Sequence, residues 1–198
     1  NDASGFGICD ASTLAQVSGG TPPFNYLWDD PLAQTDSSAS SLCAGTFCVI
    51  VTDSNGCIDS SCTTVIEPAP IVISSSTINV DCNGNCNGSV DVNVSGGVSP
   101  YTFSWSGPNA FSSNLEDLSG LCPGQYNLAL TDFNGISSFH NVSISEPSSF
   151  SATIQSFTDA ICYDSCNGTA TIAVTGGTNP YTYAWSGTNN YTSSEQNV

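Results

Sequence analysis

The sequence predicts an all-β protein made of small antiparallel sandwiches in tandem. A motif of two glycines, a proline and alternating aromatic residues ending in tryptophan occurs at residues 19–28, 96–105 and 176–185. The motifs start 77 and 80 residues apart, and a fixed period of this length is typical of a tandem array. Between the motifs, apolar residues alternate with polar ones, which is the period-2 pattern of half-buried strands.

The second copy of the motif shows the predicted strands in order. Residues 90–94 alternate valine with polar residues, and the aromatic motif follows as the next strand. Residues 126–130 form a later strand, and an Asp-Phe-Asn-Gly turn at 132–135 leads into a return strand that includes residues 142–144. About seven short strands in a copy of about 79 residues fit a small Greek-key sandwich.

Glu-Pro pairs at residues 67–68 and 146–147 mark the predicted boundaries, because proline cannot donate to a ladder. We therefore expect repeat 1 at 1–68 without most of its first strand, a complete repeat 2 at 69–147, and the N-terminal part of repeat 3 at 148–198. No gap between repeats is long enough for a flexible linker, which predicts rigid beads on a string. The sequence has no basic and apolar leader, so we expect an internal part of a longer secreted protein.

The composition excludes several classes of partner. The chain has 17 acidic residues, one histidine and neither lysine nor arginine, which gives a net charge of −17. Its carboxylates must therefore be solvated, hydrogen-bonded by N–H groups or bound to external cations. Without a basic patch the chain cannot release counterions from a phosphate backbone, which excludes nucleic acid and disfavours an anionic membrane. No apolar run reaches the roughly 18 residues of a membrane span.

Ten cysteines with no CxxC pair predict disulfides, and hence an oxidising compartment outside the cytoplasm. Cys48 and Cys62 should face outward, opposite each other, on the two strands joined by the turn at 53–56, within reach of a disulfide. Both positions are asparagine in repeat 2, at Asn127 and Asn141, as expected of a bonded pair.

A second set of cysteines lies in turns that should share one end of a sandwich. Cys9, Cys86 and Cys166 each precede the double glycine by ten residues, and Cys43 and Cys122 lie in the turn before the sixth strand. This placement predicts the pairs Cys9–Cys43 and Cys86–Cys122, and leaves Cys166 for a partner beyond residue 198.

The remaining cysteines are candidates for bonds between repeats: Cys57, Cys82 and Cys162. In a tandem array, the end of one repeat that carries position 82 should face the end of the next repeat that carries position 57. The junction between repeats 1 and 2 would then use Gly5 and Ile136, so both cysteines are missing there together. A local Cys82–Cys86 bond is the alternative, although it would leave Cys122 without its partner.

These motifs resemble the SprB repeat, which is named for a gliding-motility adhesin of Bacteroidetes. The resemblance rests on residues 96–105, on Leu-x-x-Gly-x-Tyr at 121–126, and on Asp-x-Asn-Gly-Cys at 53–57 followed by Glu-Pro at 67–68. It implies an immunoglobulin-like fold, export by the type IX secretion system and a role in surface adhesion. The chain departs from the pattern at Ile136, where the turn cysteine is expected, and in its extra cysteines.

The regular place of the aromatic residues predicts core packing rather than sugar-stacking platforms. The predicted core aromatics are Trp28, Trp105, Trp185, Tyr26, Phe103 and Tyr183. We predict no catalytic, cofactor or metal site, since His140 is the single histidine and no nucleophile motif accompanies it. Residues 81–88 weakly resemble a calcium loop, which leaves calcium open, but Asn-Gly turn chemistry explains them equally well.

Taken together, these features predict a non-enzymatic, extracellular repeat array of a giant cell-surface adhesin filament. Its repeats would act as spacer and adhesion modules in surface attachment and gliding motility. The expected partners are a surface polysaccharide or other external surface, and the motility and secretion machinery through regions outside this sequence. The alternatives are a purely structural appendage or sheath, and accessory repeats of a large secreted hydrolase.

Overall fold

A computed structural model describes residues 1–162 and 166–198 and confirms the all-β prediction. Repeat 1 contributes β1 (Ala11–Leu14), β2 (Asn25–Trp28), β3 (Ser38–Leu42), β4 (Gly45–Thr52) and β5 (Ile58–Val65). Repeat 2 contributes β6 (Val72–Ile78), β7 (Gly88–Ser95), β8 (Thr102–Ser106), β9 (Ser112–Ser113), β10 (Leu118–Leu121), β11 (Gly124–Thr131) and β12 (Ser137–Ile144). Repeat 3 contributes β13 (Ser151–Thr158), β14 (Thr169–Thr175), β15 (Trp185–Ser186) and β16 (Thr192–Ser193).

Within the described residues, helix is limited to two 3₁₀ turns, Pro108–Ala110 and Thr188–Asn190. No helix in this part of the chain is long and apolar enough to cross a membrane. The absence of longer helix follows from the sequence, because its apolar residues recur with period 2 and its turns are dense in glycine, asparagine and proline.

Repeat 2 has its strands in two antiparallel sheets, as the sequence predicts. The three-stranded sheet has the order β10-β7-β6, and the four-stranded sheet has the order β12-β11-β8-β9. Both sheets contribute fully buried side chains, among them Val90 and Leu121 from the first and Trp105, Leu130 and Ile144 from the second. This is the packing of a sandwich whose two inner faces form one core.

Repeat 1 forms two smaller sheets, β1-β3 and β2-β4-β5. Its core consists of small and medium side chains around one tryptophan: Ala3, Ala11, Trp28, Ala39, Leu42, Val49 and Val65. The indole N–H of Trp28 donates to the backbone oxygen of Asp36 at 3.0 Å. The first strand that the sequence predicts to be missing has no counterpart in the described part of repeat 1.

By compactness the chain divides into two units. The first comprises Asn1–Ser74, Val92–Trp105 and Leu128–His140, and the second comprises Ser75–Asp91, Ser106–Asn127 and Asn141–Val198. The repeat boundaries 1–68, 69–147 and 148–198 stay a prediction.

The double glycine of the motif is explained by a close backbone approach. Gly96 has a φ of 76°, and a Cβ atom there would lie 1.9 Å from the backbone oxygen of Pro70. The N–H of Gly97 donates to the oxygen of Ala69 at 2.8 Å, and the hydroxyl of Tyr101 donates to the oxygen of Gly96. Repeat 3 has the same contacts, made by Gly176, Gly177, Tyr181, Ser148 and Ser149. The motif therefore fastens the segment after each Glu-Pro pair to the sheet.

The aromatic residues lie largely where the sequence places them. Trp28 and Trp105 are only 3% and 2% exposed, so neither ring offers a face to a sugar. Half-buried positions are occupied by Tyr26, Phe103, Tyr183 and Trp185. Trp185 is less covered than its two equivalents because this sequence holds no repeat 3 counterparts of β10 to β12.

Candidate functional site: the cystines and the loops at the ends of each repeat

Three disulfides join the cysteine pairs that the sequence predicts within repeats. The structure bonds Cys9 to Cys43, Cys48 to Cys62, and Cys86 to Cys122. Cys48 and Cys62 are direct cross-strand partners in the register of β4 and β5. The alternative Cys82–Cys86 bond is absent, because Cys86 is bonded to Cys122. The described chain leaves as free, exposed thiols Cys57, Cys82, Cys162 and Cys166.

The closing turn, Asp53–Cys57 in repeat 1, is organised by a buried carboxylate. Oδ1 of Asp53 accepts the N–H groups of Asn55 and Cys57, both at 2.9 Å. Its Oδ2 accepts the N–H of Thr21 at 3.1 Å, which ties the turn to the residue after the double glycine. These bonds, with that of the Cys57 N–H first, hold the pKa of Asp53 below its ordinary value despite burial.

Repeat 2 builds the closing turn, Asp132–Ile136, in the same way. Oδ1 of Asp132 accepts the N–H groups of Asn134 at 3.0 Å and Ile136 at 2.9 Å, and its Oδ2 accepts the N–H of Val98 at 3.0 Å. Because all these donors are backbone groups, the turn does not depend on whether position 57 or 136 carries cysteine or isoleucine.

The cysteine loop, residues 79–86 in repeat 2, is closed by the glutamate of the Glu-Pro pair. The backbone oxygen of Cys82 accepts the N–H of Asn85 at 3.1 Å. Oε2 of Glu146 accepts the N–H of Gly84 at 2.8 Å. The equivalent loop of repeat 1, residues 2–9, repeats both bonds with Gly5, Ile8, Glu67 and Gly7.

The carboxylates near the cysteine loop are occupied by donors of the protein itself. Oδ1 of Asp81 accepts the side-chain amide of Asn85 at 2.8 Å. Hydrogen bonds from Asn85 first and Asn87 second lower the pKa of Asp81. Among the described residues, no group of three or more histidine, cysteine, aspartate or glutamate side chains is placed to hold a metal ion. The repeat 3 counterpart of this loop includes residues 163–165, which lie outside the described residues.

A cavity of about 400 Å³ lies along β1 and β5 in repeat 1, with Trp28, Val49 and Val51 in its lining. In repeat 2 the strand β6 pairs with β7, which is the counterpart of β1. The cavity therefore lies at the side of β1 where the first strand of a complete repeat would pair, and its shape reflects a missing strand rather than a small-molecule pocket.

The glutamate contacts were not foreseen from the sequence, although a signal was present. Glu67 and Glu146 recur at the same step as the loop glycines they bind, Gly7 and Gly84. Treating every recurring polar residue as a candidate contact would have suggested the pairing. Similarly, the sequence predicts a hairpin turn at Asp132 but does not show that its carboxylate is buried.

Comparisons with known proteins give one family match. The family model described as the SprB repeat matches residues 74–110 and residues 154–190, which lie in repeats 2 and 3 at equivalent positions. A comparison with curated proteins gives no significant match.

Solved structures show distant similarity. The chain is 11% identical to an amphioxus IgVJ-C2 molecule, with 73% of this chain and 98% of that one covered at a TM-score of 0.37. It is 12% identical to the N-terminal eight Ig domains of Down Syndrome Cell Adhesion Molecule isoform 1.30.30, covering 97% of this chain and 30% of that one at 0.38. It is 13% identical to a tetra-tandem repeat in the extending region of a large adhesion protein, covering 100% and 62% at 0.29.

Proposed function

We propose that this chain, which carries SprB repeats, is a non-enzymatic repeat region of an extracellular cell-surface adhesin. In this proposal the repeats act as spacer and adhesion modules of a filament used in surface attachment and gliding motility, exported by the type IX system. The observation that carries the proposal is the match of two consecutive repeats to the SprB repeat model, starting 80 residues apart at 74 and 154.

The disulfides support a spacer that bears load. A chain pulled from its ends extends by about 3.3–3.6 Å per residue once it unfolds. The Cys86–Cys122 bond spans a sequence separation of 36, so it withholds a contour length of about 120 Å from extension in repeat 2. The Cys9–Cys43 bond, with a separation of 34, acts in the same way in repeat 1.

The charge supports exposure to the extracellular medium. With no lysine or arginine among its 198 residues, the chain offers no cleavage site to proteases that cut after basic residues. Its net charge of −17 opposes collapse of neighbouring filaments on one another through mutual repulsion.

Surface binding by the purified 198-residue chain tests the adhesive part of the proposal. Fluorescently labelled chain is applied to glass, to immobilised polysaccharides and to whole cells. The control is the same chain reduced and alkylated with a neutral reagent, which keeps the composition and removes the disulfides. We expect the native chain to bind at least one surface and the control to bind none. Equal binding by both, or binding by neither, would contradict adhesion by these repeats and favour a purely structural appendage.

Localisation and motility are tested on the producing cells. Antibodies against the chain should label intact cells without permeabilisation, with an antibody against a cytoplasmic protein as the negative control. The same antibodies should reduce attachment to glass and the fraction of gliding cells. Labelling only after permeabilisation would contradict a cell-surface location.

A further inference from the structure

The junction between repeats 1 and 2 brings the cysteine loop of one repeat against the closing turn of the next. Gly5 is buried, and a Cβ atom on it would lie 2.7 Å from Cγ1 of Ile136. Beside this contact, the side-chain amide of Asn134 donates to the backbone oxygen of Ser4 at 2.7 Å. The residues at positions 5 and 136 are thus direct neighbours although 131 positions separate them in the sequence.

Position 5 of repeat 1 is structurally equivalent to Cys82 of repeat 2. Both residues accept a hydrogen bond from the N–H three residues later at 3.1 Å. Both lie two residues before a glycine whose N–H binds the glutamate of the Glu-Pro pair. Preceding each is a buried apolar residue, Ala3 or Val80, whose N–H donates to the chain just before that glutamate.

Position 136 of repeat 2 is equivalent to Cys57 of repeat 1. Each residue donates its N–H to Oδ1 of the turn aspartate at 2.9 Å. Each also accepts the N–H of that aspartate, at 3.0 Å for Cys57 and 2.9 Å for Ile136. The side chains at 57 and 136 therefore leave the closing turn from the same backbone position.

We propose that Cys82 and Cys57 are the two halves of a covalent junction between repeats. Sγ at position 82 of one repeat bonds to Sγ at position 57 of the repeat that follows it, so the partner of each exposed thiol is another copy of this repeat. Cys162 occupies the position of Cys82 in repeat 3 and takes the same kind of partner. The inference does not depend on the adhesive role.

The observed junction has the separation that such a bond needs. Adding one C–C bond length to the 2.7 Å approach limits the distance between the two Cβ positions to about 4.2 Å. Disulfides require about 3.5–4.5 Å between Cβ atoms. In this junction Ile136 fills the space over Gly5 instead, so an apolar contact replaces the covalent bond and neither repeat contributes an unpaired thiol.

Formation of the bond is an ordinary thiol–disulfide exchange. The two thiols lose two protons and two electrons as the Sγ–Sγ bond forms. A disulfide oxidant, such as oxidised glutathione or the cystine of a thiol oxidase, accepts them and leaves as two thiols. Cys57 and Cys82 are both exposed, which gives the oxidant access.

Restoring the cysteines at the observed junction tests the geometry. The double variant G5C/I136C is made in the full chain, in a background where Cys57, Cys82, Cys162 and Cys166 are serine. In a glutathione redox buffer we expect both introduced thiols to be lost from the monomer, with peptide mapping linking positions 5 and 136. The matched control G5C/F133C uses Phe133, an exposed residue of the same closing turn, and should keep both thiols.

Mapping of the three native disulfides and circular dichroism decide whether each variant is folded. A folded G5C/I136C variant that keeps both thiols, or that bonds position 5 elsewhere, overturns the proposal. If that variant does not fold, the wild-type chain supplies the decisive measurement. Under the same oxidation its monomer should keep Cys57 and Cys82 free of any bond to each other or to Cys86, and a monomer with either bond overturns the proposal.

Discussion

Replacing both Cys48 and Cys62 by asparagine should destabilise repeat 1 by about 3 kcal/mol. The bond has a sequence separation of 14, and loop-closure entropy for a loop of about 15 residues gives about 3 kcal/mol at 25 °C. Little packing is lost, because Cys62 is exposed and Cys48 half-buried on the outer face of the sheet. Asparagine is the residue that repeat 2 has at both positions, Asn127 and Asn141, so the change introduces no residue foreign to this fold.

Hydrogen exchange of the amides in β4 and β5 measures this loss locally. A loss of about 3 kcal/mol raises the opening equilibrium, and with it the exchange rate, by about 150-fold. The variant C86S/C122S removes a bond of repeat 2 instead and should leave the rates in β4 and β5 unchanged. An increase below about fivefold in the asparagine variant would refute the reasoning, since the cross-strand bond would then not constrain the unfolded chain.

Three further predictions follow from the turns. The lowered pKa of Asp53 means that its charged form stabilises the fold above the unfolded pKa of about 3.9. This stabilisation is lost as the pH falls through the lower folded pKa, so D53N should flatten the dependence of urea midpoints on pH below about 4. G96A should cost several-fold more stability in urea unfolding than G135A, because both glycines have positive φ but only Gly96 meets another backbone. E146A should raise the rate at which Cys82 reacts with a neutral maleimide, whereas E146Q, which keeps an oxygen acceptor, should change it less.

Strand alternation and repeat spacing were sufficient to predict the fold class, because both are local properties of the sequence. The facing of residues on β4 and β5 placed Cys48 opposite Cys62 in the register that the structure has. Comparison between repeats supplied the rest of the cysteine scheme, since residues that change together identify neighbours without coordinates. These inferences need only the period of a strand and the order of the repeats.

The burial of Asp53 and Asp132 was not predictable in this way. Their carboxylates receive N–H groups from Thr21 and Val98, which lie more than thirty residues away. Such a contact depends on how the aromatic strand docks beside β4 or β11, and turn chemistry alone assigns an aspartate in this sequence to the surface. The recurrence of Asp-x-Asn-Gly together with the double glycine was the available signal.

The same contacts explain how a chain without a single basic side chain can fold. Asp30, Asp53 and Asp132 are the buried charged groups among the described residues. Asp30 accepts two N–H groups and the side-chain amide of Gln34, and the other two are bound by backbone N–H groups alone. In the described part of the chain, no buried side-chain nitrogen or oxygen lacks a hydrogen-bond partner. Hydrogen bonds to the charged form therefore compensate the desolvation that burial imposes, a role that a lysine or arginine partner has in most proteins. Since the remaining acidic residues are solvated, the negative charge falls mainly on the surface, where it opposes association without opposing the fold.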